Sequence, residues 1–222
     1  MLGLVLVKRS SSKLKTKIKS ILFDLDGVLV DACHWHYEAL NRSLSAVAGI
    51  EIEYEDHIKS FNGLPTKVKL EILKERGTIS DYQIDQIWSL KQKNTIDVIN
   101  DNANLDAEKI LIHENLKYLN IPRVCVTNSI RETATLMLEK TGQFESISLL
   151  ITNEDVKNNK PHPEAYVTAM VKMGTLPEET LIVEDSEKGM QAALGTVSHI
   201  LRVKNSEEVT WDRISKILEG IR

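Results

Sequence analysis

Ile21-Leu22-Phe23-Asp24-Leu25-Asp26-Gly27-Val28-Leu29-Val30-Asp31 is the stretch from which the rest of the chain is read. Its apolar opening, Ile21 to Phe23, has the character of a short buried strand. The strand stops at two acids separated by one leucine, and a glycine follows. Alternate side chains of an extended segment share a face, so Asp24 and Asp26 leave the strand end toward one site. Two carboxylates that close repel unless a proton or a metal compensates them. Gly27 allows the chain to turn sharply where the strand ends. Such a segment builds a poor core and a good cation site.

Downstream of Asn104, apolar strands alternate with helices. Arg123 to Val126, Ile147 to Ile151, Leu181 to Val183 and His199 to Val203 read as strands. Helical patterns cover Asp106–Leu119, Ile130–Lys140, the stretch opened by Pro161 and Pro163, a Ser186-capped segment to Leu194, and Trp211–Ile221. This alternation predicts an α/β fold, a doubly wound parallel sheet covered by helices on both faces. Between the first strand and Asn104 no strand pattern occurs. His34–Val47, Ile52–Phe61, Thr66–Arg76 and a helix N-capped by Ser80 and running through Ile96 read as a bundle. The expected organisation is a basic, mobile N-terminal extension (1–19), a Rossmann-like core (20–31 and 104–222) and an inserted helical cap (32–103).

Composition agrees with a soluble globular protein: 222 residues, 42% hydrophobic and 27% charged. A net charge of −4 gives no reason to expect nucleic acid as a partner. Met1 to Val7 is too short for a membrane span and has no positive residues before it. Cys33 and Cys125 form no disulfide framework and no metal-ligand spacing. A cytoplasmic protein is the expectation, with a monomer favoured.

The chemistry emerges at the strand ends, where open parallel sheets bind their ligands. Asp24 and Asp26 stand after the first strand, Thr127 and Asn128 after the second, and Glu184 and Asp185 after the fourth. Lys160 sits in the loop after the third strand. Four acids want a hard, oxygen-seeking cation such as magnesium, while a lysine and a hydroxyl suit phosphate oxygens.

With these residues in place, the chain resembles the haloacid dehalogenase superfamily, in its phosphatase and β-phosphoglucomutase-like group. Phe23 to Asp31 fits the first motif, Val126-Thr127-Asn128-Ser129 the second, Lys160-Pro161-His162-Pro163-Glu164 the third, and Val183-Glu184-Asp185-Ser186 the fourth. The match runs from about Ser20 to the end. The resemblance implies a phosphoric monoester hydrolase with Asp24 as nucleophile, carrying an aspartyl-phosphate, and Asp26 as general acid and base. It implies Mg2+ held by Asp24, the carbonyl of Asp26, Glu184 and Asp185. Thr127 and Lys160 would hold the transferring oxygens, and Asn128 and Ser129 would orient the phosphate by side chain or backbone.

Substrate choice is expected in the cap, at His34, His36, Asn62, Thr66 and Lys93, with Gly63 shaping the loop. The mutases of this group carry a basic residue before the cap-loop glycine and an arginine three positions after it, to grip a second phosphate. Here those positions are Asn62 and Thr66. The expectation is therefore a phosphatase of a small phosphorylated metabolite, a sugar or polyol phosphate. A sugar phosphomutase is the alternative. A non-catalytic phospho-acceptor module is a third reading, opposed by Asp26 and by the inserted helices.

Overall fold

The strands assemble as their sequence pattern predicts. The computed structural model describes residues 16–61 and 63–221. β1 (Ser20–Phe23), β2 (Arg123–Val126), β3 (Leu149–Ile151), β4 (Thr180–Glu184) and β5 (His199–Arg202) form one parallel sheet in the order β3-β2-β1-β4-β5. β1 lies at its centre, which explains its uninterrupted apolar run. Ile21 and Phe23 pack on one face with Cys125, Leu181 and Val183, while Leu22 packs on the other with Val124, Val126 and Ile182. Parallel order around β1 places the ends of β1, β2 and β4 side by side, at the crevice where such sheets bind ligands.

Between β1 and the next core helix run α1 (Cys33–Ala48), the single turn α2 (Tyr54–Asp56), α3 (Thr66–Glu75) and α4 (Asp81–Asn102). These helices bury an apolar cluster of their own, including Leu40, Leu44, Phe61, Leu70, Leu73 and Ile87. The helix expected over 52–61 is shorter: α2 widens at once into a π-helical turn, His57–Phe61. Ser80 starts α4 as expected, its N–H and hydroxyl both donating to Gln83 Oε1 at 2.9 and 2.7 Å. The core helices follow: α5 (Ala107–Tyr118), α6 (Arg131–Lys140), α7 (Glu164–Met173), α8 (Glu187–Leu194) and α9 (Trp211–Gly220).

Thr16 to Lys19, assigned from sequence to a mobile extension, are docked instead. Lys17 N–H donates to the Ile221 carbonyl at 3.1 Å and Lys19 N–H to that of Glu179 at 2.7 Å. Ile18 between them is buried, and its apolar side chain explains why the segment stays on the core. Residues 1–15, the rest of that extension, lie outside the described residues. Among the described residues no helix is long and apolar enough to cross a membrane.

Two histidines are fully buried, His57 and His113. His57 stands edge-on to Tyr37 (5.3 Å between centroids), with neither ring nitrogen hydrogen-bonded. His113 lies beside Phe23 and donates to Gln143 Oε1 at 3.1 Å. Burial pulls them down from 6.5 to about 3 and about 4. In the unfolded chain they protonate near the ordinary value, so the unfolded state binds more protons as pH falls below about 6.5. Their contribution to stability is therefore complete above that pH and lost below it, about 2 kcal/mol per histidine by pH 5. Urea unfolding at pH 7 and pH 5 measures it, with a His57→Phe, His113→Gln variant as reference so that other titrating groups cancel. An equal loss in parent and variant would contradict the assignment.

Candidate active site

The described strand ends converge on the floor of a cavity of about 330 Å3 between the sheet edge and the α1–α4 helices. Lys160 is the organising group. Its Nζ, buried under the cavity, donates to Asp24 Oδ1 at 2.7 Å, Glu184 Oε2 at 2.9 Å and the Val126 carbonyl at 2.9 Å. It also stands 4.6 Å from the Tyr166 ring centroid. The two carboxylates hold Lys160 well above the usual lysine range despite its burial. Asn128 fixes the loop that carries it: its amide donates to the Lys160 carbonyl and accepts from the Lys160 N–H, both at 3.1 Å. Asn128, expected to orient phosphate by side chain or backbone, has its side chain committed to positioning Lys160, because the second and third motifs meet across the sheet edge, and its backbone is left for the other contact.

Glu184 is fully buried, and its two oxygens accept from the whole neighbourhood. Oε2 takes Lys160 and the Tyr166 hydroxyl (2.5 Å); Oε1 takes the N–H of Asp185, the N–H of Ser186 and the Ser186 hydroxyl, each at 3.0 Å. Ser186 in turn caps α8 by accepting from Gly189 N–H at 3.0 Å. Gly189 has no alternative residue: a Cβ there would sit 1.9 Å from Glu184 Oε2.

Asp24, Glu184 and Asp185 bring one carboxylate oxygen each within 4.8 Å of one another. Burial first, and Glu184 next, push Asp24 up to about 7, against the pull of Lys160. Burial and the charges of Asp24 and Glu184 push Asp185 up to about 9. Asp185 Oδ1 is buried without a hydrogen bond, and Gly27, at φ +86°, turns its missing Cβ to within 2.2 Å of Asp185 Oδ2. Three carboxylates against one ammonium leave a formal charge of −2. The donor set fits a divalent, oxygen-seeking cation, and the orphaned Asp185 oxygen is where it fits best.

Asp26 faces different partners. Burial opposes its charge, yet His36 and Ser129 hold it down to about 2. His36 Nε2 lies 2.8 Å from Oδ1; Ser129 Oγ donates to Oδ2 at 2.9 Å and Thr127 Oγ1 at 3.4 Å. Lys91 of α4 lies 3.3 Å from the other ring nitrogen, Nδ1. Burial and Lys91 lower the basicity of His36, so a neutral ring accepts at Nδ1 and donates from Nε2 to Asp26. Thr127, expected to hold the transferring oxygens, lines the cavity wall and accepts from the Ser129 N–H at 2.9 Å. Ser129, expected to orient phosphate, holds Asp26.

Among the cap residues singled out from sequence, His36, Gly63 and Thr66 line the cavity. Lys93 does not: it is exposed, and the lysine of α4 that reaches the cavity is Lys91. Two residues apart on a helix is about 200° of rotation, so only one of the pair can face inward. His34 is exposed as well, resting near Tyr37 and Tyr54. Asn62 lies outside the described residues. Lys69, Lys91, Tyr166 and Gly189 carry no motif signal that sets them apart; Ser186 closes the fourth motif, and Gly189 stands three residues beyond it.

The geometry is matched by comparison with known proteins. The sequence model of haloacid dehalogenase-like hydrolases matches residues 21–203. The chain is 28% identical over 178 residues to validoxylamine A 7'-phosphate phosphatase of Streptomyces hygroscopicus subsp. limoneus, covering 79% of this chain and 80% of that protein. It is 28% identical over 213 residues to pyrophosphatase PpaX of Oceanobacillus iheyensis, covering 92% and 94%. In fold it is similar to a crystal structure of β-phosphoglucomutase from Clostridium difficile, with a TM-score of 0.76 at 21% identity over 91% of this chain and 98% of that one. With the family match running from β1 through β5 and its residues gathered on one sheet edge, the chain belongs to the haloacid dehalogenase-like hydrolases.

Proposed function

We propose that this hydrolase is a magnesium-dependent phosphatase of a small phosphorylated metabolite. One observation carries the reading. Two aspartates a single residue apart occupy opposite environments: Asp24 shares Lys160 and the acidic cluster, while Asp26 is turned to His36 and Ser129. Environments that differ in this way divide a nucleophile from an acid–base group.

Asp24 attacks phosphorus with the oxygen that Lys160 does not hold, and the aspartyl-phosphate forms on it. Lys160 offsets charge on the transferring oxygens, and Asn128 keeps it aimed by fixing its backbone. Asp26 rests ionised; an arriving phosphate dianion beside it raises its proton affinity. It then takes up a proton from solvent, delivers it to the leaving oxygen as the ester bond breaks, and takes one back from the water that attacks phosphorus and displaces Asp24. His36, donating to Asp26 Oδ1, and Lys91 behind it fix that carboxylate's orientation. Asp24, Asp185 and the Asp26 carbonyl would hold magnesium, whereas Glu184, already accepting five hydrogen bonds, is assigned to anchoring Lys160. Magnesium would supply charge neutralisation that lets a carboxylate approach a dianionic ester.

Hydrolysis is favoured over transfer by the phosphatase names of the relatives. The test is phosphate release from p-nitrophenyl phosphate and from labelled glucose 6-phosphate. Magnesium should raise both activity and the melting temperature, the latter by preferential binding to the folded state, and EDTA should abolish turnover. Undiminished turnover in chelator would refute the metal assignment. Labelled glucose 1-phosphate appearing faster than free phosphate would replace the phosphatase by a mutase.

A further inference from the structure

The cavity is electrostatically divided. Its lining acids, Asp24, Asp26 and Asp185, all come from the sheet side, which also contributes Lys160 and Lys188. Among the described residues the α1–α4 side contributes Lys67, Lys69 and Lys91 and no carboxylate. Lys91 is engaged with His36, and Lys67 lies over the Trp88 ring at 5.5 Å. Lys69 is different. It is 5% exposed, and its ammonium has no hydrogen-bond or ion-pair partner among the described residues. Lysine is seldom so buried without a contacting partner; Asp26 and Cys33 favour its charge only from beyond contact distance, and its ammonium is left facing the cavity. Burial pulls Lys69 down to about 8, which still leaves it mostly charged at neutral pH.

The position of this charge matters. Thr66 and Lys69 are one turn apart on α3, hence on one face, and both line the cavity. The uncharged Thr66 therefore does not make this wall neutral. An ester whose phosphorus sits at Asp24 would extend its leaving group toward that wall.

We propose that Lys69 is a substrate-binding residue for a second anionic group, so that the substrate class is phosphomonoesters carrying a carboxylate or a further phosphate on the leaving group. The proposal rests on the hydrolytic reading above and is tested so that the two can fail separately. Three substrates share a three-carbon leaving group: n-propyl phosphate, 3-phosphooxypropanoate and propane-1,3-diol bisphosphate. The parent enzyme should show a kcat/KM for at least one anionic member tenfold or more above that for propyl phosphate. In Lys69→Met that ratio should fall by roughly 10- to 100-fold, the loss of a charge-assisted hydrogen bond. Lys69→Arg should retain most of it. Preference for the carboxylate or for the bisphosphate identifies which anion the site takes.

Calorimetric binding of 3-phosphonopropanoate and propylphosphonate, in magnesium buffer, gives the same comparison without turnover. Tighter binding of the carboxylate-bearing phosphonate that disappears in Lys69→Met supports the site even if no ester is hydrolysed, an outcome that would defeat the phosphatase reading alone. Turnover of propyl phosphate with no preference for either anionic member, and equal binding of the two phosphonates, would overturn the Lys69 assignment alone. An equal loss on all three substrates in Lys69→Met, leaving the ratio intact, would also overturn it.

Discussion

Asp24→Asn is expected to abolish turnover and covalent labelling by radioactive phosphate together, whereas Asp26→Asn should retain phosphate binding and turn over 100- to 10,000-fold more slowly. The first loss is total because the amide has no free charge to attack phosphorus, and Lys160 loses one of its two ion-pair partners, 2.7 Å away, keeping Glu184. The second is partial because Asp26 moves protons and does not form the bond; removing an acid–base group costs about two to four orders of magnitude. In the phosphorylation half-reaction the deficit of Asp26→Asn should be large with an alkyl phosphate and small with p-nitrophenyl phosphate, whose leaving group needs little protonation, whereas hydrolysis of the aspartyl-phosphate should be slowed alike with both. Both variants should fold, since Asp26 keeps Ser129 and His36 as amide partners. A near-parental rate for Asp26→Asn on an alkyl phosphate would remove it from the acid–base role, and label retained by Asp24→Asn would move the nucleophile elsewhere.

The other large effect belongs to Lys160. Lys160→Met should destabilise the fold by about 3–5 kcal/mol, the range for breaking a buried ion pair by removing one partner. The reason is local: Glu184 is 0% exposed, and Lys160 is its only cationic contact among the described residues. The hydroxyl of Tyr166 and the N–H groups of Asp185 and Ser186 remain, so the variant should still fold, with a lower urea midpoint. Adding Glu184→Gln removes the stranded charge and should restore much of that stability. It should restore none of the activity, because the charge facing the transferring oxygens is gone; losses of 100-fold or more are typical for such a group. Stability and turnover thus part company in the double variant. Recovery of both together would mean that Lys160 acts only as a structural ion.

The magnitudes assign the two halves of the site different tasks. The Glu184–Lys160–Tyr166 cluster is sealed, and its hydrogen bonds are worth most where water cannot replace them. Asp26, His36 and Lys91 instead cross from the sheet edge to the inserted helices, through bonds of 2.8 and 3.3 Å. On the roles proposed for them, Asp26 as acid and base would therefore depend on how the inserted helices sit, whereas Asp24 as nucleophile would not.

The parallel sheet and the order of its elements were legible because each depends on neighbours in sequence. β2, read as Arg123–Val126, has those bounds in the structure, and Ser80, Ser186 and Trp211 mark helix starts where local capping or periodicity placed them. That Asp24, Asp26 and Asp185 meet on one edge was legible too, because a strand end in a parallel sheet has one destination; Lys160 joins them from the loop after β3. The site's finer roles were not. Asn128 and Ser129 follow a strand just as a phosphate contact would, but their partners, the Lys160 backbone 32 residues away and Asp26 103 residues away, are set by packing across the sheet edge. Glu184 and Asp185 are adjacent acids in sequence, and only the burial of one against Lys160 and Tyr166 separates an anchor from an orphaned oxygen. In the cap, Lys91 and Lys93 are equivalent as letters, and the rotation of α4 against α1 decides which one meets His36. Lys69 reads as a lysine of a solvated helix face, and it becomes a buried charge only because α3 is laid over the cavity. Periodicity and strand ends are local properties of a chain; the partner of a charge is a property of its packing.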